Sequence, residues 1–373
     1  MSQEQDVDAL RNRRQASASS LDAPAMIGER ERWRAGEAES FVRDIFNHVL
    51  RLTGPAYEAQ VASWTRRAKA LGDPVTLFRA LIELPQHRQR MEAERDANTR
   101  WLPGHFYSPC VSRAEATKDQ KRIFANRPLI GVDLRETAQL ELLEKLAPHF
   151  ATIPFPEDKE EKHRYNYHNP SYGYGDAIIY WSMLQHFRPN RIIEVGSGYS
   201  SALALDAIDI LHLPTVCTFI DPFPEVAIKA TAPLRPPHTI LPSRVQDFDP
   251  EIVTELGEND LLFIDSSHVL KTGSDVHFEL TELLPRLRPG VLVHFHDVFD
   301  NFEYPAKWVL DLNHGWNELY ALHVFLMYNS SFRIEYFNQL VAKRHPEVFS
   351  RLAPRERQRI LLNPGGGLWL RRI

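Results

Sequence analysis

The chain has 373 residues and a formal net charge of −5, with an isoelectric point near 6.4, which leaves room for one large domain and a smaller one. No global basic field is present to attract nucleic acid, and nothing favours an anionic membrane surface. Two cysteines, Cys110 and Cys217, exclude a disulfide framework and a zinc site built from thiolates.

A reducing cytoplasm is the expected compartment. The opening residues, Met1 to Asp6, lack an apolar signal core, and no run approaches the roughly 18 apolar residues needed to span a bilayer. Residues 1–38, rich in Arg, Glu, Ala and Ser, read as a tail that buries too little to order itself. Residues 39–100 read as a small helical domain. Phe41, Ile45, Val49 and Leu50 recur at helical spacing, followed by Tyr57, Val61, Trp64 and Ala68, then Val75, Leu77, Phe78, Leu81 and Ile82. Gly54-Pro55, Gly72-Asp73-Pro74 and Pro85 punctuate these segments. The run from Phe41 to Leu50 resembles, over some sixty residues, a helical module of unknown function appended to bacterial surface and glycan-associated proteins; no catalytic motif accompanies it.

Residues 101–160 read as a linker and helical lead-in. The loop Gly104 to Pro109 is aromatic and hydroxyl-bearing, suited to line a pocket or to pack onto the main domain. Asp133 and Glu136 suggest a capping box for a helix with Leu140, Leu143, Leu146 and Ala147 on one face, ended by Pro148. The aromatic segment Arg164 to Gly175 precedes a helix over 176–187. Tyr172 and Tyr174 in it are suited to a sulfonium by cation–π attraction.

From residue 161 to the end the chain alternates short apolar strands with helices, as a doubly wound sheet requires. Strands are expected at 192–195, 216–220, 238–241, 260–264, 291–295, 332–337 and 367–372. Helices are expected from near Ser200, then at 225–230, 251–256, 274–287, 304–312 and 316–328.

The first strand runs into Glu194-Val-Gly196-Ser-Gly198-Tyr199-Ser200-Ser201. Gly196 and Gly198 permit positive φ and close approach of a ligand to the backbone, and the helix start offers unpaired N–H groups. Glu194 stands two residues before the first glycine, and Ser201 occupies the place of a dinucleotide fingerprint's third glycine. The stretch resembles the first motif of class I methyltransferases that use S-adenosylmethionine, an acidic residue followed by a Gly-x-Gly turn. The resemblance implies a Rossmann-like, doubly wound, seven-stranded sheet whose last strand is antiparallel. It also implies a cofactor site at Glu194, Gly196, Gly198, Tyr199 and Ser200.

In an open parallel sheet, ligands bind outside the carboxyl ends of the strands. Asp221 ends the second strand, where a carboxylate can accept hydrogen bonds from both ribose hydroxyls of a nucleoside. Gln246 and Asp247, after the third, are candidates to read an adenine edge, although Asp247 can equally cap the next helix. Asp265 and His268 follow the fourth strand, and His294, His296 and Asp297 lie in and after the fifth. Asp265 and Asp297 offer two hard oxygen ligands for Mg²⁺ or another divalent cation. His268 or His296 is suited to remove a proton from an acceptor at neutral pH. With strict alternation, His296 and Asp297 face opposite ways, and His294 reads as a core residue.

Asp265-Ser-Ser-His268 and His296-Asp297, with Phe302 to Pro305 and Trp316-Asn317-Glu318, resemble a bacterial branch of these enzymes that includes O-methyltransferases of sugars and natural products. That resemblance implies methyl transfer to an oxygen of a small-molecule acceptor, with Asp265 and Asp297 as metal ligands or hydrogen-bonding groups. A nicotinamide-dependent Rossmann oxidoreductase is the first alternative, disfavoured by the missing third glycine and by the place of Glu194. A non-catalytic S-adenosylmethionine-binding protein is the second. A homo-oligomer is left open.

Overall fold

A computed structural model of the chain describes residues 39, 42–43, 57–71, 104–224 and 237–373. The chain divides into two compact units, residues 1–109 and 110–373. In the first, helix α1 (Tyr57–Leu71) buries Val61, Trp64 and Ala68, the face expected from the apolar spacing. Most of the helical domain, the tail and the segment 225–230 lie outside the described residues. Phe106 is 81% exposed, with its ring against His105 and Tyr107.

The second unit opens with α2 (Arg113–Lys118) and α3 (Gln120–Ile123), followed by α4 (Glu136–Phe150) and α5 (Tyr174–Phe187). No capping box forms at α4. Its first turn is entered through Arg135 in the left-handed region, whose N–H donates to Asp133 Oδ1 at 3.2 Å. Pro148 does not end this helix either. So near the end its missing N–H removes only one bond, and buried Phe150 secures the last turn. Ten consecutive residues of α5, Gly175 to Leu184, are buried, so this helix is covered on every side. Trp181 and Tyr180 are fully buried, each stabilising the fold by about 1.5–3 kcal/mol through removal from water.

Among the described residues, seven strands form one sheet in the order β3-β2-β1-β4-β5-β7-β6. These are β1 (Arg191–Val195), β2 (Val216–Ile220), β3 (Thr239–Leu241), β4 (Leu261–Ile264), β5 (Leu292–Phe295), β6 (Phe332–Phe337) and β7 (Leu368–Arg372). Only β7 runs antiparallel to its neighbours. The central strands β1, β4 and β5 are short and buried on both faces, as covered parallel strands must be. Strand order reverses between β1 and β4, so their carboxyl ends open a crevice at the switch point.

Between the strands lie α6 (Tyr199–Leu211), α7 (Asp275–Phe278), α8 (Leu284–Arg286), α9 (Ala306–Leu310) and α10 (Glu318–Leu326). Three helices, α11 (Asn338–Arg344), α12 (Val348–Leu352) and α13 (Arg357–Leu362), connect β6 to β7. The expected helix 251–256 is a 3₁₀ segment, Pro250–Glu255, with Asp249 as its cap. The expected helix 274–287 is interrupted by a π-helical turn, Glu279–Leu283, which carries buried Glu279 to within 3.2 Å of Ser266 Oγ. Such turns recur at functional sites. The helices at 304–312 and 316–328 are shorter than expected, because Pro305 and Asn317 stand outside them as caps.

Candidate active site

At the end of β1 the ladder continues one residue past the strand. Gly196 N–H donates to Ile220 C=O at 2.9 Å, and Asp265 N–H to Val195 C=O at 2.9 Å. Gly196 has φ +83°, and a Cβ there would lie 1.9 Å from the Asp265 carbonyl oxygen. Glycine is therefore required by close packing as well as by conformation. Gly198 differs from expectation: its φ of 173° is extended backbone, and its Cβ position faces open space.

Glu194 does not reach the crevice. Fully buried, it accepts from the Ser200 and Ser201 hydroxyls through Oε1 at 2.5 and 2.9 Å, while Oε2 has no partner. Ser201 Oγ in turn accepts from Gly198 N–H at 3.1 Å. The acid thus ties the first turn of α6 to β1. Burial pushes its pKa up to about 8, against the pull of the two serine hydroxyls.

The crevice is a cleft of about 760 Å³ lined by Gly196, Ser197, Asp221, Gln246, Asp265 and the 271–275 loop, among others, a volume in the usual range for small-molecule sites. Asp221 Oδ2 accepts from Ser197 Oγ at 2.6 Å and Oδ1 from Phe223 N–H at 2.7 Å. One lone pair on each oxygen is left for a ligand. Gln246 lines the cleft and Asp247 does not; the Asp247 carboxylate is held by Arg244 at 2.7 and 2.9 Å. Tyr199 begins α6 and is half-buried. Tyr172 and Tyr174 are also absent from the cleft wall. Buried Tyr172 packs 5.1 Å from the His296 ring, and Tyr174 bonds Glu157 in a separate depression with Arg359.

Asp265, about a third exposed, belongs both to the cleft wall and to a second cluster. Its Oδ1 stands 3.4 Å from His268 Nε2 and 3.4 Å from His296 Nδ1. Asp297 lies 3.6 Å from each of the same two ring nitrogens. One ligand atom from each of Asp265, His296 and Asp297 falls within 4.8 Å of the others. Asp297 has φ +57°, which breaks strand alternation and turns His296 and Asp297 onto the same site rather than opposite faces. His268 is left-handed too, at φ +58°. Non-glycine residues held there cost about 1–3 kcal/mol each and persist where surroundings over-determine them.

Those surroundings are visible. His268 C=O accepts from Asn317 and Glu318 N–H at 3.0 and 3.1 Å, and Leu270 N–H donates to Asn317 Oδ1 at 2.6 Å. Ser267 is pinned by Asp275 through its N–H and Oγ. Behind Asp297, Gly366 packs so closely that a Cβ would sit 2.8 Å from the Asp297 Cα. The outer ring nitrogens are engaged as well, His268 Nδ1 with Glu318 Oε2 at 2.8 Å and His296 Nε2 with Asp176 Oδ2 at 3.4 Å.

Charge in the cluster is balanced internally. Burial works against the imidazolium forms, yet Asp265 and Glu318 raise His268, and Asp297, Asp265 and Asp176 raise His296. Burial likewise opposes ionisation of Asp265, but the His296 and His268 rings hold it well below the usual carboxylate range. Asp297 is pushed up to about 6, by burial first and by Asp265 against the pull of His296. His294 stays in the core between Phe263 and Trp369, with both nitrogens unpartnered.

A sequence profile described as a methyltransferase domain matches residues 193–298, the segment holding the end of β1, the glycine turn, Asp221, Asp265 and Asp297. The chain therefore carries a methyltransferase domain over residues 193–298, set on a sheet of the class I methyltransferase order. An uncharacterized protein of Archaeoglobus fulgidus is 30% identical to this methyltransferase over 172 residues, covering 44% of this chain and 78% of the relative. Among solved structures, apo CmcI is 16% identical, covers 61% of this chain and 83% of its own, and has a TM-score of 0.31. The Podospora anserina methyltransferase PaMTH1, bound to SAH, has 16% identity, coverages of 59% and 88%, and a TM-score of 0.32. For the plantazolicin methyltransferase BpumL with SAH, the values are 15%, 64%, 98% and 0.33. Likenesses this distant carry no weight for ligand or activity.

Two residues of this methyltransferase's site, Asp176 and Glu318, escaped the sequence reading of roles. Asp176 stood only at an expected helix start, and Glu318 only within a resembling phrase.

Proposed function

We propose that this methyltransferase transfers the methyl group of S-adenosylmethionine to a hydroxyl oxygen of a small acceptor, a sugar or another small metabolite, with a divalent ion beside the reacting oxygen. The observation that carries this reading is Asp265, shared by the nucleoside-sized cleft and the cluster with His296 and Asp297. The ion's fit rests on His296 Nδ1, buried without a hydrogen-bond partner, and on two carboxylates facing it. The donor's fit rests on the cleft volume, the open Gly198 position and the free lone pairs of Asp221.

In this reading Asp221 accepts from the ribose hydroxyls and Gln246 faces the adenine edge. Gly196 and Ser197 form the floor beneath the donor, with Glu194 and Ser200 holding the α6 turn in place. Asp265, His296 and Asp297 would hold the ion, which would lower the pKa of an acceptor hydroxyl; as its oxygen bonds the methyl carbon, the carbon–sulfur bond breaks, S-adenosylhomocysteine leaves and the hydroxyl proton passes to water. Positioning supplies most of the rest, since alignment of two reactants contributes about 7–11 kcal/mol.

Calorimetry of the pure protein tests the donor: S-adenosylmethionine binds with micromolar-range affinity, and binding of NAD instead would overturn the reading. Labelled methyl donor incubated with a metabolite extract, with and without EDTA, tests acceptor and ion together.

A further inference from the structure

The donor set of the cluster speaks to which ion it takes, an inference that rests on the reading that Asp265, His296 and Asp297 hold one. We propose that the centre selects a first-row transition ion over Mg²⁺, with His268 Nε2 as a further nitrogen donor and with Glu318 and Asp176 as the carboxylates that position the two rings. Mg²⁺ demands hard oxygen donors and keeps several waters. Imidazole suits Zn²⁺, Cu²⁺, Fe²⁺ and Ni²⁺, whereas carboxylate and water suit Mg²⁺ and Mn²⁺. Here His296 Nδ1 is one of the three grouped donors, and His268 Nε2 stands 3.4 Å from Asp265 Oδ1 beside them.

The geometry of each ring supports ligation over ordinary hydrogen bonding. His268 Nε2 and His296 Nδ1 stand 3.4 Å from Asp265 Oδ1 and 3.6 Å from Asp297 oxygens, separations longer than a normal N–H···O bond. Each outer nitrogen instead has a carboxylate of its own, Glu318 Oε2 for His268 and Asp176 Oδ2 for His296. A ring whose outer N–H is held by a carboxylate presents its other lone pair inward, the arrangement that orients metal-ligating histidines. Both carboxylates are buried, and Asp176 is fixed by Gly366 N–H at 3.0 Å and Asn338 Nδ2 at 3.2 Å. Left-handed backbone at His268 and Asp297 sets both residues on loops held by adjoining segments of the same chain.

The test uses the full chain stripped of metal and titrated with the chlorides of Co²⁺, Zn²⁺, Mn²⁺ and Mg²⁺. Calorimetry and the visible absorption of bound Co²⁺ are followed, with S-adenosylmethionine binding as the check that each protein is folded. Co²⁺ and Zn²⁺ should bind one per chain at least a hundredfold more tightly than Mg²⁺, with Co²⁺ giving visible d–d bands. His268→Ala, or His268→Gln if the alanine variant fails to fold, should weaken Co²⁺ at least tenfold. Glu318→Gln should weaken it by about 10–100-fold and shift the bands. Mg²⁺ binding within tenfold of Co²⁺, or unchanged Co²⁺ affinity and spectrum in the His268 variants, would overturn the inference. Tight Co²⁺ binding alongside chelator-insensitive methyl transfer would leave it standing and remove the ion from the proposed reaction. Mg²⁺ preference with ion-dependent transfer would do the reverse.

Discussion

The two halves of the crevice are built on different principles. Around β1 and β2 the working parts are local: a glycine turn, hydroxyls one helical turn away, and Asp221 at a strand end with its own loop N–H as partner. Around β4 and β5 they are assembled across the chain, with His268 leaning on a residue 50 positions away and His296 on one 120 positions away. The first half offers shape and hydrogen-bonding groups, with its one buried acid, Glu194, pushed by burial towards the protonated form. The second concentrates two carboxylates and two imidazoles in a few ångströms. A nucleoside needs the former, and activation of an acceptor oxygen the latter.

The contrast is broken most severely at Asp297. Asp297→Asn should lower methyl transfer about 10²–10³-fold by weakening stabilisation of developing charge. S-adenosylmethionine affinity should stay within about threefold, since Asp297 is not on the cleft wall; steady-state kinetics beside calorimetry separates the two. Asp221→Ala does the opposite, weakening donor binding by about 10–150-fold, the worth of a charged hydrogen bond of roughly 1.5–3 kcal/mol. If both variants lose binding and rate in equal measure, the division of labour is wrong.

Glu194 gives a smaller, pH-dependent effect. Its folded pKa, raised to about 8 from the usual 4.5, means the fold keeps a proton that the unfolded chain has released. The stability this confers is complete below the unfolded value and is lost as pH rises through about 8. Glu194→Gln keeps the serine hydrogen bonds and removes the titration. It should match wild type near pH 4 and exceed it by on the order of 5 kcal/mol at pH 8.5, read from denaturant midpoints across pH. A constant difference would contradict the buried-acid account. Smallest of all, Asp247→Ala should leave donor affinity within about twofold, because that carboxylate is engaged by Arg244 outside the cleft.

These halves were unequally legible in the sequence. Strand positions, the glycine turn and the carboxylates ending β2, β4 and β5 follow from short apolar runs and from where such runs stop. Helix limits were less so: Pro148 sits inside α4, and a π turn splits the segment after Ser274. The common facing of His296 and Asp297 depends on one left-handed residue, which strand periodicity cannot announce. Asp176 and Glu318 become site residues only through tertiary approach. Glu194 illustrates the converse, a motif residue whose place in the pattern suggested ligand contact and whose burial makes it a brace for α6.

The most direct measurement is labelled methyl transfer from S-adenosylmethionine into a small-metabolite extract, by protein stripped with EDTA and by the same protein after Mn²⁺ is restored. Label should enter a small molecule only when the ion is present, with donor binding similar in both preparations. Equal transfer in the stripped protein would contradict the claim that Asp265 joins the donor cleft to an ion site.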